Sequence, residues 1–419
     1  MRRPTQPRIG ERPTSRLTGV DAVRGLAVLG MFAVHVGPGP DPSGARYLIL
    51  AADGRAPALF TLLAGFSLAL AQRHDGPRGP RPLRPLLIRS AVLAALGLWL
   101  ATLWPGVLVI LAFFALYFLA AEPFTRLSTP VLAAVAAASV IVGPVLSFVL
   151  GPLFGYTTTG RGAVPELAHL TSWSGAGEVL EQLLLSGAYP VLTYLPYVLV
   201  GMALGRLCDL REASVAPRMA AWGTVAAVAA YGSAWLATEV GGGRERLLAT
   251  IAERHPEALA AADPVRAVLG AQFGAIPSTS WDWLLIADPY SQTPLETIGN
   301  AGVGCALIGV CVLAARARLG AGLLRPLAAL GAMALSAYVV HALVLAGPAN
   351  GAHSWRALAA FAGVALVAAW AWQRALAGRP LGRGPVEYAL RLATHGRIPR
   401  PAAARVSRGA PGRPTGERS

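Results

Sequence analysis

The stretch LTGVDAVRGLAVLGMFAVHV, residues 17–36, decides how the chain folds. It is apolar enough to be a membrane helix, yet it contains Asp21, Arg24 and His35. A spanning helix needs about 20 residues, because the hydrocarbon core of a bilayer is about 30 Å thick. The Gly-Pro-Gly-Pro sequence at 37–40 must end this helix. Counting back about 20 residues from that point places Asp21 and Arg24 inside the membrane segment.

Arg24 and His35 are eleven residues apart, close to three helical turns, and therefore share one face of the helix. Asp21 lies one turn before Arg24 on the same face. Ionisable groups in a membrane helix usually face the interior of a bundle or a water-filled cavity. The alternative is an Asp21–Arg24 pair that reaches the cytoplasmic surface, with His35 at the outer interface. That alternative leaves His35 on the shared face unexplained, so we predict that Arg24 and His35 open into one water-accessible passage.

The composition of the 419-residue chain is that of a multi-pass membrane protein. Hydrophobic residues make up 54% of the sequence and charged residues only 14%, and long apolar runs recur from end to end. The net charge of +15 arises mainly from the two tails and from loops assigned to the cytoplasm. We therefore expect membrane lipid, and not nucleic acid, around the protein. The three cysteines show no CxxC or Cys/His spacing, so we predict no bound metal.

The apolar runs predict an all-α fold of about ten transmembrane helices. The distribution of arginines places both the N- and the C-terminus in the cytoplasm of a multi-pass protein in the cell membrane. The predicted domain organisation is a disordered basic arm (1–16), a transmembrane domain (17–376) and a disordered basic tail (377–419). The predicted helices cover 17–36, 56–72, 86–104, 106–122, 130–150, 188–206, 219–238, 295–314, 324–346 and 355–373.

A second histidine is predicted to reach the depth of His35 from another helix. Under this topology His341 lies in the outer half of the helix over 324–346. Tyr338 precedes His341 by three residues and shares its face, and Ser336 is nearby. A packed, hydrogen-bonded contact between helices is the alternative role for His341, because a buried imidazole without a partner is costly.

Polar residues near the predicted outer surface are further candidates. Glu296 and Asn300 lie four residues apart, on one face at the start of the helix over 295–314. Asp282 lies between two tryptophans in the long outer loop over 239–293. Aromatic rings with carboxylates are typical of sugar-binding loops, although aromatic anchoring at the membrane interface is the commoner explanation for such residues.

At these residues the chain resembles the integral-membrane acyltransferase superfamily, which is acyltransferase family 3-like. Arg24, ten intervening residues and His35 match the arginine–histidine spacing of its first helix. The sequence LFTLLAGFSLA over 59–69 is similar to the pattern of its second helix, with Ala64 where serine is usual. The sequence LGAMALSAYVVH over 330–341 is similar to its late serine–tyrosine–histidine pattern.

The layout is more similar to the heparan-alpha-glucosaminide N-acetyltransferase branch and its bacterial relatives of uncharacterised function. Like them, the chain combines a short connector after the first helix with a long late outer loop. That branch commonly has asparagine where His35 stands and a histidine in the following connector. The connector here, 37–55, contains no histidine. Which branch's catalytic assignment applies therefore stays open at the level of the sequence.

The resemblance implies transfer of an acyl group, in the first place acetyl, from cytoplasmic acyl-CoA to an extracytoplasmic acceptor such as a glycan. Arg24 suits the binding of acyl-CoA, since a guanidinium stays charged and offers five donors, and Asp21 is expected to orient it. His35 is predicted to be the base that deprotonates the acceptor, with His341 as second catalytic residue. An acyl-histidine intermediate is the alternative to direct transfer. The predicted substrate-binding residues are Tyr338, Ser336, Asn300, Glu296 and Asp282.

Two other functions fit the same sequence. Intramembrane Asp, Arg and His residues also mark the pathways of transporters, so a transporter or flippase of a small polar or lipid-linked substrate is the main alternative. A non-catalytic scaffold is the other. Binding of acyl-CoA separates the enzyme from both. The sequence is compatible with several acceptors and acyl chains, and with an oligomer as well as a monomer.

Overall fold

Apolar runs, interrupted by prolines and glycines, set the helices of this protein. The computed structural model describes residues 14–39, 49, 51–74, 83–103, 105–154, 164–271 and 274–396, and within these ranges the chain is helical without strands. The helices are α1 (Thr14–Val36), α2 (Arg55–His74), α3 (Leu83–Thr102), α4 (Leu111–Ala121), α5 (Thr129–Leu150), α6 (Trp173–Glu181), α7 (Val191–Leu207), α8 (Val215–Trp235), α9 (Gly243–Arg254), α10 (Pro264–Ala271), α11 (Pro294–Arg316), α12 (Arg318–Ala332), α13 (Ala334–Ala346), α14 (Trp355–Ala375) and α15 (Pro385–His395).

Within the described ranges, the all-α membrane fold is confirmed, whereas the count of ten spans stays a prediction. Six segments are long and apolar enough to cross a membrane, in α1, α2, α3, α5, α11 and α14. Two bent helix pairs raise that number to eight if each pair is one span. The span predicted over 106–122 is helical only over Leu111–Ala121, because the chain turns at Gly106, whose φ of 72° is left-handed. Eleven residues are too few to cross a bilayer.

Two predicted spans are broken helices. The sequence pattern over 324–346 predicts one helix, but α12 and α13 meet at Met333 with a bend of 69°. The span predicted over 188–206 starts at Val191 and is preceded by a helical segment, Trp173–Ser186, at 54° to it. Pro190 lies between them and cannot continue the hydrogen bonding of a helix.

Helix α1 lies in the centre of the bundle, against α2, α11 and α12. Its contact with α12 is made by backbone, because a side chain at Gly25 would collide with the carbonyl oxygen of Leu327. A side chain at Gly331 would likewise collide with the carbonyl oxygen of Asp21. Small residues that let two backbones touch are typical of membrane helix pairs. The contact brings the charged end of α1 beside the break at Met333.

Two segments predicted to lack regular structure contain helices. Within the loop over 239–293, which is predicted to lie outside, α9 and α10 pack around a separate apolar core that includes Trp283. Within the tail over 377–419, α15 is helical up to His395, since Pro385 and Glu387 suit its first turn. The other parts of the predicted arm and tail, 1–13 and 397–419, lie outside the described residues, and the domain boundaries stay a prediction.

Candidate active site

His35 and His341 meet at the C-terminal end of α1. The distance between His35 Nδ1 and His341 Nε2 is 2.9 Å, a hydrogen bond between the two imidazoles. The rings are nearly parallel, with centroids 5.2 Å apart. The sequence predicted a similar depth for these residues, and the structure places them in direct contact. In such a bond one ring nitrogen donates and the other accepts.

His341 lies behind His35, in apolar surroundings. Only 3% of its surface is exposed, and it packs against Phe32 and Phe361 with centroid distances of 4.6 and 5.2 Å. Its Nδ1 is buried and has no hydrogen-bond partner among the described residues. These contacts fit the packed, hydrogen-bonded alternative, and the catalytic role of His341 stays a prediction. The residue can fix the orientation of the His35 ring.

His35 faces a small pocket of about 30 Å³. The wall carries three phenols, from Tyr189, Tyr290 and Tyr338, among apolar side chains. The backbone N–H of Ile110 donates to the Tyr338 hydroxyl oxygen over 3.1 Å. Because that oxygen is used as an acceptor, its proton is left to be donated, and no acceptor for it occurs among the described residues. The pocket thus combines an imidazole with a hydroxyl donor.

Tyr290 is held in the pocket wall by buried polar groups. Its backbone N–H donates to Glu296 Oε1 over 2.9 Å, and its φ of 63° is one that non-glycine residues rarely adopt. Its phenol hydrogen-bonds Asp53, and burial raises the pKa of Tyr290 well above the ordinary value. Burial also raises the pKa of the Asp53 carboxyl, while the hydrogen bond from Tyr290 opposes that shift.

Glu296 and Asn300 share one face, and neither lines the pocket. Both are 4% exposed. Glu296 accepts from the backbone N–H groups of Tyr290 and Gln292, at 2.9 and 2.5 Å. Asn300 Nδ2 donates to Glu296 over 3.2 Å, and Asn300 Oδ1 accepts from the Tyr231 hydroxyl over 2.7 Å. These residues therefore hold the loop that carries Tyr290.

Arg24 forms the other end of the site, near the start of α1. Its guanidinium donates to the Asp21 carboxylate and to the Ser67 hydroxyl on α2. The Ser67 hydroxyl donates in turn to the carbonyl of Leu63 over 2.5 Å. The Arg24 side chain remains 27% exposed despite these contacts. The guanidinium is thus fixed in place and still accessible.

Arg24 and His35 both face α2, in agreement with the shared face read from their spacing. Arg24 contacts α2 at Ser67, and His35 shares its pocket with Phe60. Met31, one turn before His35, is buried and forms part of the pocket wall. Arg24 does not line this pocket. The passage expected between the two residues stays a prediction.

Ser336 takes part in a helix cap formed by a distant part of the chain. Its hydroxyl donates to Glu387 Oε2 over 2.5 Å. Glu387 Oε1 accepts from the backbone N–H groups of Leu335 and Ser336, at 2.8 and 3.1 Å. A carboxylate at the first turn satisfies free donors and suits the helix dipole. Glu387 thereby anchors α15 to the start of α13.

Asp282 lies beside the separate apolar core of α9 and α10, away from the pocket at His35. Arg246 Nη2 and Nε donate to its carboxylate at 2.7 and 3.0 Å. These hydrogen bonds hold the pKa of Asp282 below its ordinary value, and the same contact raises the pKa of Arg246. The Trp283 side chain beside it is fully buried and belongs to that apolar core.

Sequence reasoning missed several residues around the site. Tyr189, Tyr290 and Glu387 depend on loops and on a terminal helix whose packing no local pattern reveals. The tail did carry a signal, because Gly384 and Pro385 followed by Glu387 resemble the start of a helix.

Two family models match the chain. The one described as heparan-alpha-glucosaminide N-acetyltransferase, catalytic, matches residues 16–237, more than half of the chain. The one described as protein of unknown function (DUF418) matches residues 243–397. No curated protein and no solved structure matches the chain. The paired histidines come from the two matched regions, His35 from the first and His341 from the second.

The apolar helices and the catalytic-domain match define a multi-pass membrane protein of acyltransferase type. The chain belongs to the heparan-alpha-glucosaminide N-acetyltransferase catalytic family.

Proposed function

We propose that this protein transfers an acyl group, in the first place acetyl, from cytoplasmic acyl-CoA to a hydroxyl or amine of an extracytoplasmic acceptor, with a glycan as one candidate. The observation that carries the proposal is the pocket that His35, held by His341, shares with the Tyr338 hydroxyl. The family match supports acyl transfer as the reaction class. The cell membrane is the proposed location.

His35 acts as the base in this reaction. The proposed reaction requires the tautomer in which His35 Nδ1–H donates to His341 Nε2, because that tautomer leaves His35 Nε2 with a lone pair for the pocket. Nε2 takes the proton of the acceptor hydroxyl or amine as the acceptor attacks the thioester carbonyl carbon. The new C–O or C–N bond forms, the C–S bond breaks, and the leaving thiolate receives the proton from His35. The products are acylated acceptor and free CoA thiol, so atoms and charge balance.

Tyr338 and His341 support that step in different ways. The Tyr338 hydroxyl proton can be donated to the carbonyl oxygen as negative charge develops on it. His341 is a positioning residue, because it is buried behind His35 and does not line the pocket. Glu296 and Asn300 position Tyr290, Ser336 serves the cap of α13, and Asp282 pairs with Arg246 away from the pocket. In this proposal those four residues do not contact the substrate.

Arg24 binds the donor at the opposite end of α1, where Asp21 orients its guanidinium. The accessible part of the guanidinium fits the anionic portion of coenzyme A. Arg24 and His35 are about 16 Å apart along the helix axis, a length that extended pantetheine can cover. Met31 lies between them and has to change rotamer for the chain to pass, which its unbranched side chain permits.

The test uses purified protein in neutral detergent with acetyl-CoA as donor and glucosamine as probe acceptor. Calorimetry measures donor binding, and thiol detection measures CoA release. We expect saturable binding of acetyl-CoA and release of CoA thiol that depends on the acceptor. A folded protein that does not bind acetyl-CoA would refute the proposal and favour a transporter or scaffold, since neither requires this ligand. A radiolabelled acetyl group recovered on denatured protein would indicate the acyl-histidine route in place of direct transfer.

A further inference from the structure

Three more arginines surround the Arg24 end of the site. Arg89 projects from α3 with its guanidinium 4.2 Å from the ring centroid of Phe118. Arg383 lies just before α15, and Arg391 lies on α15, which packs against α3. Arg89 is within electrostatic range of both Arg24 and Arg391. Arg383 is within that range of Asp21 and Arg391, so the four guanidinium groups form one basic cluster.

The arginines of this cluster differ from those that stabilise the fold. Arg206 and Arg316 donate to backbone carbonyls of neighbouring turns, at distances from 2.5 to 3.1 Å. Within the described ranges, Arg89, Arg383 and Arg391 have neither a hydrogen bond nor an ion pair. Arg89 and Arg383 are exposed, and Arg391 is partly exposed. Their donors are therefore available to a ligand.

The acidic residues near the cluster are already engaged. Asp21 is paired with Arg24, and Glu387 accepts three hydrogen bonds at the start of α13. Two carboxylates face four guanidinium groups, so the cluster carries excess positive charge. Burial and the nearby Arg383 lower the pKa of Arg391, while the Glu387 carboxylate opposes that shift.

The C-terminal segment is fixed over the break between α12 and α13. Glu387 binds the first turn of α13, and the backbone N–H of Val386 donates to the Ser336 hydroxyl over 3.1 Å. On the other side, Trp372 Nε1 donates to the carbonyl of Leu381 over 2.9 Å. These contacts from both sides hold Arg383 and Arg391 at the charged end of α1.

We propose that Arg89, Arg383 and Arg391, together with Arg24, bind the phosphate groups of the nucleotide part of coenzyme A, and that the segment over 380–391 completes the donor site. The inference rests on the proposed function and deepens it. Coenzyme A carries a diphosphate and a 3′-phosphate, and planar guanidinium groups bind phosphates through paired hydrogen bonds. The region matched as a protein of unknown function thus contributes two arginines that the catalytic-domain match does not contain.

The experiment compares three donors on one set of variants. Acetyl-CoA, its 3′-dephospho form and S-acetylpantetheine are titrated by calorimetry in neutral detergent without added lipid. For the Arg383→Gln/Arg391→Gln variant we expect the Kd of acetyl-CoA to rise about tenfold or more, since charge-assisted hydrogen bonds are lost. The Kd of S-acetylpantetheine should stay within about twofold, because it carries no phosphate.

Three further variants keep the result interpretable. Arg318→Gln removes the same charge from an exposed arginine outside the cluster, on the side of the membrane predicted to be cytoplasmic, and should leave all three Kd values unchanged. Glu387→Gln keeps every arginine but weakens the anchor of α15, and should also weaken binding of acetyl-CoA. Arg383→Lys/Arg391→Lys keeps the charge and should retain part of the affinity for acetyl-CoA. This variant replaces the glutamine variant in the test if the glutamine variant does not fold.

The outcomes separate this inference from the proposed function. If wild-type protein does not bind acetyl-CoA, the proposed function fails. If wild-type protein binds acetyl-CoA and the glutamine variant binds each of the three donors with the same Kd as wild type, the inference alone is overturned. The same applies if the variant keeps its affinity for acetyl-CoA but no longer retains phosphatidylglycerol during purification, which would assign the cluster to lipid headgroups.

Discussion

The two ends of α1 present opposite chemistry on one face of one helix. At the start, Arg24 is paired with Asp21 and Ser67 and lies among further arginines. At the end, His35 contacts a second imidazole beside three phenols, with aromatic rings behind them. The first end is rich in fixed positive charge, whereas the second has groups that can gain and lose protons.

This difference indicates a division of labour. A guanidinium never takes part in proton transfer at ordinary pH, so the Arg24 end can bind and orient an anion but cannot act as acid or base. Imidazole can do so. If both ends serve one reaction, variants at the Arg24 end should change donor affinity, and variants at the His35 end should change turnover.

His35→Ala is expected to have the largest effect. It removes the only imidazole among the described residues that line this pocket, so kcat should fall by about 10²–10⁴-fold, the usual contribution of a general base. The Kd of acetyl-CoA should change little. Turnover is measured by CoA release, and binding by calorimetry. Full turnover in a correctly folded His35→Ala protein would show that His35 is not the base, and would refute the division of function between the two ends of α1.

Tyr338→Phe should come next in size. Phenylalanine keeps the packing but removes the proton proposed to stabilise the carbonyl oxygen, so kcat should fall by about a hundredfold. It also leaves the backbone N–H of Ile110 without its acceptor, so a thermal unfolding curve is needed beside the kinetics. If stability falls while kcat is kept, Tyr338 serves the fold and not the reaction.

Arg24→Gln should affect the donor and not the chemistry. The KM for acetyl-CoA should rise about tenfold or more, with a much smaller change in kcat. Because the change leaves the Asp21 carboxylate unpaired, Asp21→Asn/Arg24→Gln is the matched variant that removes both charges. Steady-state kinetics with varied acetyl-CoA supply the measurement. A lower kcat at unchanged KM in both variants would mean that the two ends are not divided by function.

The comparison of the two ends could be anticipated from the sequence because it depends on a local period. Eleven residues at 3.6 per turn put Arg24 and His35 on one face, and the same period put Glu296 and Asn300 on another. The predicted topology placed His35 and His341 at a similar depth in the membrane, and the structure shows that the two rings are in contact. The substrate-binding role predicted for Glu296 stays a prediction, and the structure adds that its carboxylate accepts a hydrogen bond from the loop that carries Tyr290.

Long-range packing set what the sequence could not reveal. The apolar pattern runs without interruption through Met333, so nothing local indicated the break between α12 and α13. That break exposes backbone N–H groups, which Glu387 satisfies from about fifty residues further along the chain. The composition of the tail, which is basic and rich in Pro and Gly, predicts disorder. The contact of Glu387 with the start of α13 holds α15 in place, and composition does not reveal that contact.

Asp282→Asn is expected to have the smallest effect, because this carboxylate belongs to neither end of α1. It forms an exposed ion pair with Arg246, and such pairs contribute little to stability. Turnover and donor affinity should stay within about twofold of wild type, as for surface changes in general.

Arg246 holds the pKa of Asp282 below its ordinary value, so the pair stabilises the fold above the unfolded-state pKa, about 3.9. That contribution is lost as pH falls through the lower folded-state pKa. Thermal unfolding at pH 7 and near pH 3 should therefore show a difference between wild type and variant that narrows at the lower pH. A large loss of turnover at pH 7 with unchanged stability would instead support the substrate-binding role predicted for Asp282. A third region, beyond the two ends of α1, would then take part in the reaction.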